Sequence, residues 1–469
     1  MKLLYTIIIS FLFQLNIQAQ AIGIEQIVDN GHPDKRINIV ILGDGYTATQ
    51  QQKFINDSKI FSQYLFQQEP FNQYKNYFNV YAIKVVSQDS GARHDNSAPD
   101  CPGLGSHPIS TAKTYLDTRF DAFGIHRLIV PFNSQNIATS LAKYFPSYDQ
   151  VIILVNTPYY GGSGGAYATS TLHSSSNEIS VHEIGHSFAG LSDEYYAGDQ
   201  YARESTNMTQ TTDSSIVRWK NWLGFRSVGI YQHCCGGNSS KWFKPHQSCK
   251  MQALGLPFCN VCKEGIIEVI HRLINPLILF SPKEQNLNVG DTPLKFSLEE
   301  LIKPIPNSQK ISWNYINRNI AKNVDSIFLQ ARDIPLGNSK LSVFVEDTNL
   351  LIRIDNHEKL HFSIVEWNIN KTVNSLSVSG KSSLVEWSIS PVPAVNYIDI
   401  SLLSGEMKNC SIHLINQQGQ IVHTEKFSFM SKDKNFKLDI SNLNSGSYHL
   451  QIMNESFNIS KPIVIRTSK

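Results

Sequence analysis

The sequence predicts an α+β protein, with one mixed helix-and-sheet domain up to residue 275 and two small all-β sandwich domains after it. Apolar residues recur with helical spacing from Glu264 to Ile274, and the pattern stops at Asn275-Pro276, where proline disfavours helix. Beyond this point the pattern changes to short alternating runs separated by Gly, Asn and Asp, which is typical of strands and turns. A chain of 469 residues is too long for one hydrophobic core, so several domains are expected.

The N-terminal segment has the pattern of a secretory signal peptide over residues 1–19. A basic start, Met1-Lys2, precedes a mostly apolar stretch from Leu3 to Leu15, and Ala19 offers a small residue for cleavage. The apolar stretch is shorter than the roughly 20 residues that a membrane span needs, and no later segment is long and apolar enough. We therefore expect a soluble, exported mature chain without a transmembrane segment.

Residues 182–194, HEIGHSFAGLSDE, carry the strongest indication of chemistry in the chain. His182 and His186 lie four residues apart on a predicted helix and share one face, so their imidazoles can bind a single ion. Glu183 would then lie beside the open position of that ion and would not bind the ion itself. Catalytic zinc takes three protein ligands and keeps one open position, which leaves one ligand to find.

The third ligand is expected just after the helix. Gly190 can end the helix with a positive φ and turn the chain back toward the metal, which makes Asp193 our predicted ligand and Glu194 its alternative. The common metzincin spacing has the glycine three residues after the second histidine and the ligand six after. Here these separations are four and seven, so the connecting turn is one residue longer.

The motif resembles the signature of the IgA-peptidase-like zinc metallopeptidases, a secreted bacterial family in which HExGH precedes a short apolar turn and Asp-Glu-Tyr. The resemblance implies a metzincin-like zincin fold, a mixed sheet with an active-site helix, and one catalytic Zn²⁺. It carries over the zinc ligands and the general base: His182, His186 and Asp193 as ligands, and Glu183 as base. Other segments resemble the family's opening strand, its second strand, and its strand with a glycine-rich rim: residues 36–46, Pro70-Phe71 with Phe78-Asn79-Val80, and residues 151–165.

Further resemblances follow the motif. The segments Cys249-Lys250-Met251 and Phe258 to Cys262 resemble the family's Met-turn region, which implies that Met251 packs beneath the histidines without binding metal. Tyr195 and Tyr196 directly follow the third ligand and are candidate transition-state donors.

Between Trp219 and Pro257 the chain departs from the family pattern. Such a segment would shape the substrate cleft, so its divergence leaves the substrate undetermined. It does not affect the prediction of zinc chemistry. Two histidines in this region, His233 and His246, are interpreted as polar loop residues and not as additional ligands.

Seven cysteines follow the predicted signal peptide, and five of them are clustered in the sequence. In an oxidising compartment such clustering favours disulfides, with the pairing undetermined. The alternative is a structural zinc site in which Cys259 and Cys262 join Cys234 and Cys249. The odd count leaves at least one thiol unpaired, and the isolated Cys410 is the expected one.

Two β-rich segments follow the predicted peptidase domain. Residues 276–370 contain runs such as Lys310-Ile311-Ser312-Trp313 and indicate an immunoglobulin-like β-sandwich, which serves as a spacer or as a substrate-binding module. Residues 371–386 have the composition of a linker.

Residues 387–469 resemble the C-terminal sorting domain of the bacterial type IX secretion system, with Pro391-Val392-Pro393 in place of Pro-Asn-Pro and a Leu-x-x-Gly-x-Tyr ending. The resemblance implies that the outer-membrane secretion machinery is a partner and that the protein is secreted or displayed on the cell surface.

The charge balance indicates no nucleic-acid partner, because 41 Lys and Arg against 39 Asp and Glu leave a net charge of only +2. Two functions remain. The first is a secreted zinc endopeptidase that hydrolyses extracellular proteins or glycoproteins, with host glycoproteins and immunoglobulin among the admissible substrates. The second is a surface adhesin or glycan-binding protein on a degenerate peptidase scaffold. The intact motif favours the first, because a scaffold has no need of Glu183 as a base.

Overall fold

A computed structural model describes residues 20–234, 236–290, 292–372, 386–404, 406–431, 435–454 and 458–466. The predicted signal peptide, Cys235 and residues 373–385 of the predicted linker lie outside the described residues. The chain divides into two compact units, and the boundary lies between residues 373 and 374. Among the helices of the described residues, none is both long and apolar enough to cross a membrane.

The first unit begins with a six-stranded mixed sheet in the order β1-β3-β2-β6-β8-β7. Its central strands β3, β2, β6 and β8 are parallel, whereas β1 and β7 at the two edges are antiparallel to their neighbours. Every residue of β2 and β6 is buried, as expected for parallel strands that are covered on both faces. The strands up to residue 170, including the separate pair β4 and β5, are β1 (Gln20–Val28), β2 (Ile37–Asp44), β3 (Phe78–Val86), β4 (Thr118–Arg119), β5 (Val130–Pro131), β6 (Gln150–Val155), β7 (Gly162–Ser163) and β8 (Ala168–Ser170).

In the part of the chain that the structure describes, four α-helices cover this sheet, and they divide between its two faces. Residues of α1, α3 and α4 share one hydrophobic core with the odd-numbered residues of β2, whereas α2 packs against Val40 and Leu42 on the other face. This division follows from the alternation of side chains along a strand. The helices are α1 (Gln51–Leu65), α2 (Ser134–Tyr144), α3 (Ser176–Ser187) and α4 (Asn260–Leu273).

The structure corrects one local prediction and adjusts another. Pro70-Phe71 does not belong to the second strand; it lies in a turn in which Gln73 N and Tyr74 N donate hydrogen bonds to Pro70 O, and β3 begins only at Phe78. The predicted helix before Asn275-Pro276 is α4, which begins earlier than its apolar spacing suggested.

The region after α4 is a β-sandwich of two sheets, with strand orders β11-β13-β16 and β12-β18-β17-β14-β15. Trp313 and Trp367 are completely buried between them, with stacked rings 6.0 Å apart. The strands from residue 231 onward, including the short pair β9 and β10, are β9 (Tyr231–Gln232), β10 (Phe243–Lys244), β11 (Leu277–Ser281), β12 (Asn286–Val289), β13 (Leu294–Leu301), β14 (Gln309–Tyr315), β15 (Arg318–Lys322), β16 (Ser326–Leu329), β17 (Gly337–Asp347) and β18 (Phe362–Lys371).

The second unit is also built from two sheets, ordered β19-β20-β23 and β22-β21-β24-β25. Alternate residues of β21 and β24 face one shared core, which is the period expected of half-buried strands. The predicted α+β organisation with β-sandwich regions is therefore confirmed. The strands of this unit are β19 (Glu386–Ser390), β20 (Tyr397–Ser404), β21 (Met407–Ile415), β22 (Ile421–Met430), β23 (Phe436–Asp439), β24 (Gly446–Met453) and β25 (Asn458–Ile465).

Candidate functional site

Helix α3 carries three of the residues singled out in the sequence, His182, Glu183 and His186, within its last two turns. The helix ends at Ser187, and Gly190 follows with a φ of 63°, in the left-handed region that glycine adopts without strain. This turn brings Asp193 back to the two histidines.

Three donor atoms form a compact triangle at the end of the helix. Asp193 Oδ1 lies 3.1 Å from His182 Nε2 and 3.2 Å from His186 Nε2, and the two Nε2 atoms are 3.2 Å apart. Ligands about 2.0–2.1 Å from a tetrahedral zinc ion are about 3.3 Å from one another. The separations therefore fit three ligands of one metal ion.

The hydrogen bonds around the triangle set the ring orientations. His182 Nδ1 lies 2.9 Å from Lys250 O, and His186 Nδ1 lies 2.7 Å from Leu191 O. A carbonyl oxygen only accepts, so each Nδ1 carries a proton, and in the neutral imidazole that binds a metal each Nε2 presents a lone pair. Lone pairs that face each other at 3.2 Å repel unless a cation lies between them, so the donor set is suited to a metal ion.

Glu194, the alternative ligand, points away from this triangle. Its side chain is fully buried, and its Oε1 accepts hydrogen bonds from Asn207 Nδ2 at 3.0 Å and from Cys262 Sγ at 3.4 Å. The backbone N–H of Glu194 donates to Met251 O at 2.7 Å, which holds this segment against the turn that follows residue 249. Asp193 and Glu194 therefore face different surroundings, although they are adjacent in the sequence.

Met251 is completely buried directly beneath α3. A Cβ atom added to Gly185 would lie 2.7 Å from Met251 Sδ, so only glycine allows the thioether to approach the helix between the two histidines. The preceding residue, Lys250, supplies the carbonyl that orients His182. The same turn thus supports the helix by packing and by hydrogen bonding.

Glu183 faces a cleft next to the triangle, under the glycine-rich rim. A Cβ atom at Gly164 would collide with the Glu183 carboxylate, so the rim lies directly over it. Burial raises the pKa of Glu183 above its ordinary value, while the neighbouring imidazoles of His182 and His186 oppose that shift. The cleft has a volume of about 550 Å³.

Arg127 and Tyr195 line the same cleft, and the Arg127 guanidinium lies near enough to Tyr195 to oppose part of the rise in the pKa of its hydroxyl. Burial, followed by the charge of Asp193, raises the pKa of Tyr195 to about 12, so its hydroxyl stays protonated at neutral pH. Tyr196, by contrast, is 55% exposed. Of the two tyrosines, only Tyr195 lines the cleft, and Arg127 was not identified from the sequence because its contacts join distant segments.

His233 and His246 lie outside the triangle. His233 is buried, and its Nε2 donates to Asp193 O at 2.9 Å, so it supports the backbone of Asp193. His233 is therefore a loop residue that lies in the interior and not on the surface. His246 Nε2 lies 3.2 Å from Arg226 O, within a loop.

The structure shows no disulfide among the cysteines of the described residues, which are Cys101, Cys234, Cys249, Cys259, Cys262 and Cys410. Cys249 Sγ and Cys262 Sγ lie 3.7 Å apart, well beyond the roughly 2.05 Å of a disulfide bond. The alternative zinc cluster also differs from the prediction. Cys249, Cys259 and Cys262 are grouped with Glu194, all buried, and Cys234 does not belong to the group.

Two family models match the chain. One, described as IgA Peptidase M64, matches residues 25–228, which include the donor triangle but not Met251. The other, described as a secretion system C-terminal sorting domain, matches residues 388–466, which form the second unit. The sorting domain assigns the chain to export, with a secreted or cell-surface location. No curated protein matches the chain.

Solved structures give only distant similarities. A dimeric latent PorU from Porphyromonas gingivalis is 8% identical over 40% of this chain, which spans 19% of PorU, with a TM-score of 0.19. The fibronectin(III)-like modules of Clostridium thermocellum CbhA are 8% identical over 40% of this chain and 94% of theirs, with a TM-score of 0.16. CopC from Methylosinus trichosporium OB3b is 12% identical over 18% of this chain and 97% of its own, with a TM-score of 0.15. Similarities at this level carry no argument about fold or function.

The donor triangle and Glu183 thus lie inside the residues that the peptidase model matches, and the second unit coincides with the match to the sorting domain. This chain carries a peptidase domain of the IgA peptidase M64 family and a C-terminal sorting domain of the type IX secretion system.

Proposed function

We propose that the protein is a secreted zinc-dependent endopeptidase with a metzincin-like catalytic domain. The observation that carries the proposal is the triangle of His182 Nε2, His186 Nε2 and Asp193 Oδ1, whose members are 3.1–3.2 Å apart and present lone pairs to one point. Two imidazoles and one carboxylate form a zinc ligand set that leaves one position open, which is the arrangement of catalytic sites. Nothing in the described site favours the adhesin alternative.

The bound ion would supply a positive charge that makes a water more acidic and polarises the scissile carbonyl. Glu183 is the general base: it takes a proton from the attacking water as the new C–O bond forms, and passes it to the amine as the C–N bond breaks. A raised pKa suits this double role, because the same carboxylate first accepts a proton and then releases it.

Tyr195 is the proposed donor to the oxygen that becomes negative during the reaction. Its hydroxyl remains protonated, and the Arg127 guanidinium lies beside it in the cleft. Fixed donors stabilise developing charge without reorganising during the reaction. Met251 serves as the packing floor of the site, in the manner of a Met-turn.

We assign the catalytic domain to residues 20–275, an immunoglobulin-like sandwich to 276–370 and the sorting domain to 387–469. The substrate is an exported or host protein or glycoprotein, and immunoglobulin is one candidate within that class. The secretion machinery of the outer membrane is the second expected partner. We further propose that disulfide formation among the clustered cysteines accompanies export.

The experiment that tests this function compares purified wild-type protein with Glu183→Gln and with Glu284→Gln, an exposed carboxylate far along the chain. We expect Glu183→Gln to keep its zinc and to lose about 10²–10⁴-fold in kcat on a peptide library, because loss of general acid–base catalysis costs that much. Glu284→Gln should behave as wild type. Undiminished cleavage by Glu183→Gln, or full activity after zinc removal, would contradict the proposal.

A further inference from the structure

A second group of metal-ligand side chains lies in the long connection between β3 and α2. His94, Cys101, Asp121 and His126 each direct one donor atom into a space in which all four atoms lie within 4.8 Å of one another. The side chains of His94 and Asp121 are 0% and 2% exposed, and that of His126 is 13% exposed. We propose that these four residues bind a structural zinc ion.

Five of the separations among these donor atoms range from 2.8 to 3.9 Å and bracket the edge lengths of a tetrahedron around zinc. Cys101 Sγ lies 3.2 Å from Asp121 Oδ1, 3.5 Å from His126 Nδ1 and 3.9 Å from His94 Nε2. Asp121 Oδ1 lies 2.8 Å from His126 Nδ1 and 3.6 Å from His94 Nε2. With ordinary zinc bond lengths to sulfur, nitrogen and oxygen, tetrahedral edges are about 3.3–3.6 Å.

The outer contacts of these side chains leave the inward atoms available. His94 Nδ1 donates to Pro108 O at 2.9 Å, and His126 Nε2 lies 3.1 Å from His107 Nδ1. The second carboxylate oxygen of Asp121 accepts from Ser97 N at 2.8 Å. Such outer-shell partners fix the tautomer and orientation of zinc ligands.

A purely hydrogen-bonded cluster does not satisfy these atoms. Because His94 Nδ1 donates to Pro108 O, the Nε2 atom of the neutral imidazole is an acceptor, and the donor that lies near it is the Cys101 thiol at 3.9 Å. That thiol lies closer to Asp121 Oδ1, at 3.2 Å, and its single proton cannot serve both acceptors. A cation at the centre satisfies all four atoms at once.

The charges of the four ligands also balance. On binding, the Cys101 thiol releases its proton to solvent, and the resulting thiolate together with the Asp121 carboxylate neutralises a divalent ion. The two imidazoles bind as neutral ligands. Four protein ligands leave no open position, which marks the ion as structural, and a thiolate with imidazoles selects zinc over magnesium or calcium.

The proposed ion would hold one wall of the catalytic cleft. Asp121 and His126 flank a turn, and the residues that follow line the cleft; we call residues 121–130 the cleft-wall segment. This segment is joined to the glycine-rich rim, since Gly162 N donates to Arg127 O at 3.1 Å and Ser163 Oγ donates to Ile129 O at 2.6 Å. The binding of zinc by these four residues does not depend on the proposed peptidase function. The proposal that the ion supports the catalytic cleft does rest on that function.

The direct test is anomalous X-ray scattering at the zinc edge from crystals of the full chain, dialysed against a weak chelator. We expect a peak enclosed by His94, Cys101, Asp121 and His126, and the absence of a peak there would overturn the proposal. A peak at His182, His186 and Asp193 reports separately on the catalytic site. Because the two peaks are at separate positions, the absence of one peak does not affect the test of the other site.

Zinc content in solution provides the second measurement. We expect Cys101→Ser to bind one ion fewer than wild type, and Cys410→Ser, a buried thiol of the second unit, to bind as many as wild type. Equal zinc content in Cys101→Ser and wild type would contradict the site. If Cys101→Ser does not fold, alkylation of wild type followed by peptide mapping decides: the zinc-loaded protein should protect Cys101, and equal labelling with and without zinc would contradict the site.

Discussion

His271 Nε2 lies 2.9 Å from Asp347 Oδ2, and this buried contact joins α4 to β17. The same carboxylate accepts hydrogen bonds from Tyr74 Oη at 2.7 Å and from Ser308 Oγ at 2.6 Å. Asp347 thus accepts hydrogen bonds from the part of the chain that carries the donor triangle and from the β-sandwich to which it belongs. The helix-and-sheet part and the β-sandwich of the first unit are therefore joined by hydrogen bonds to a buried carboxylate, as well as by apolar packing.

A chain that ends at residue 275 is expected to fold poorly, whereas a chain that ends at residue 372 should fold as the full protein does. Ile302 and Leu351 belong to the same hydrophobic core as α4, and removing the sandwich would expose that surface. Thermal unfolding and soluble yield of the two truncated chains measure the difference. A cooperative transition of wild-type midpoint in the shorter chain would contradict this expectation.

Asp347→Asn should destabilise the protein by about 2–3 kcal/mol at neutral pH, because hydrogen bonds to a charged group contribute about 1.5–3 kcal/mol. Burial opposes ionisation of Asp347, yet the hydrogen bonds from His271, Ser308 and Tyr74 hold its pKa below the ordinary value. A lowered folded-state pKa contributes stability that is present above the unfolded pKa of about 3.9 and is lost as the pH falls through the folded-state value.

The stability gap between wild type and Asp347→Asn should therefore narrow as the pH falls from about 5 to below about 4. Urea unfolding midpoints at several pH values measure this gap, with Asp333→Asn, at a side chain 61% exposed, as the control. A gap that stays constant over that range would rule out the charge of Asp347 as its cause.

Asp193→Ala should weaken zinc binding by more than the roughly 10–100-fold that the loss of an outer hydrogen-bond partner costs. Glu194→Gln should leave zinc affinity within a few-fold of wild type, because Glu194 faces Asn207 and Cys262 and not the triangle. Competition with a chromophoric chelator gives both affinities, and circular dichroism confirms that each variant is folded. The reverse ranking would make Glu194 the ligand.

Tyr195→Phe should lower kcat by about 10²-fold or more with little change in KM, as expected for a donor that acts on the transition state. Tyr196→Phe is the matched control, since Tyr196 is exposed and lies next in the sequence. Steady-state kinetics on one peptide substrate give both constants. An unchanged kcat in Tyr195→Phe would exclude it as a donor.

Local patterns made much of the site predictable. The two histidines of HExxH share a helix face because residues four apart always do, and Gly190 turns the chain because glycine adopts a positive φ. The strands after residue 276 were predictable from their alternation, since one face of each is buried. Each of these signals lies within a few residues of the feature that it predicts.

Other features depend on residues that are distant in the sequence. Asp193 contacts His182, whereas Glu194 contacts Asn207, and both partners are distant enough that the sequence alone left Asp193 and Glu194 as alternatives. In the same way, only folding separates Tyr195 from Tyr196 and brings Arg127 into the cleft.

The sequence by itself determined the peptidase motif, its helix, the sorting domain and the change from mixed to all-β structure, because these follow from short-range periodicity and motif spacing. The tertiary structure alone decided which acid joins the histidines, how the cysteines are grouped, and that residues 94, 101, 121 and 126 meet. The physical reason is that side chains far apart in the chain acquire neighbours only when strands and loops pack, and no local pattern specifies that packing.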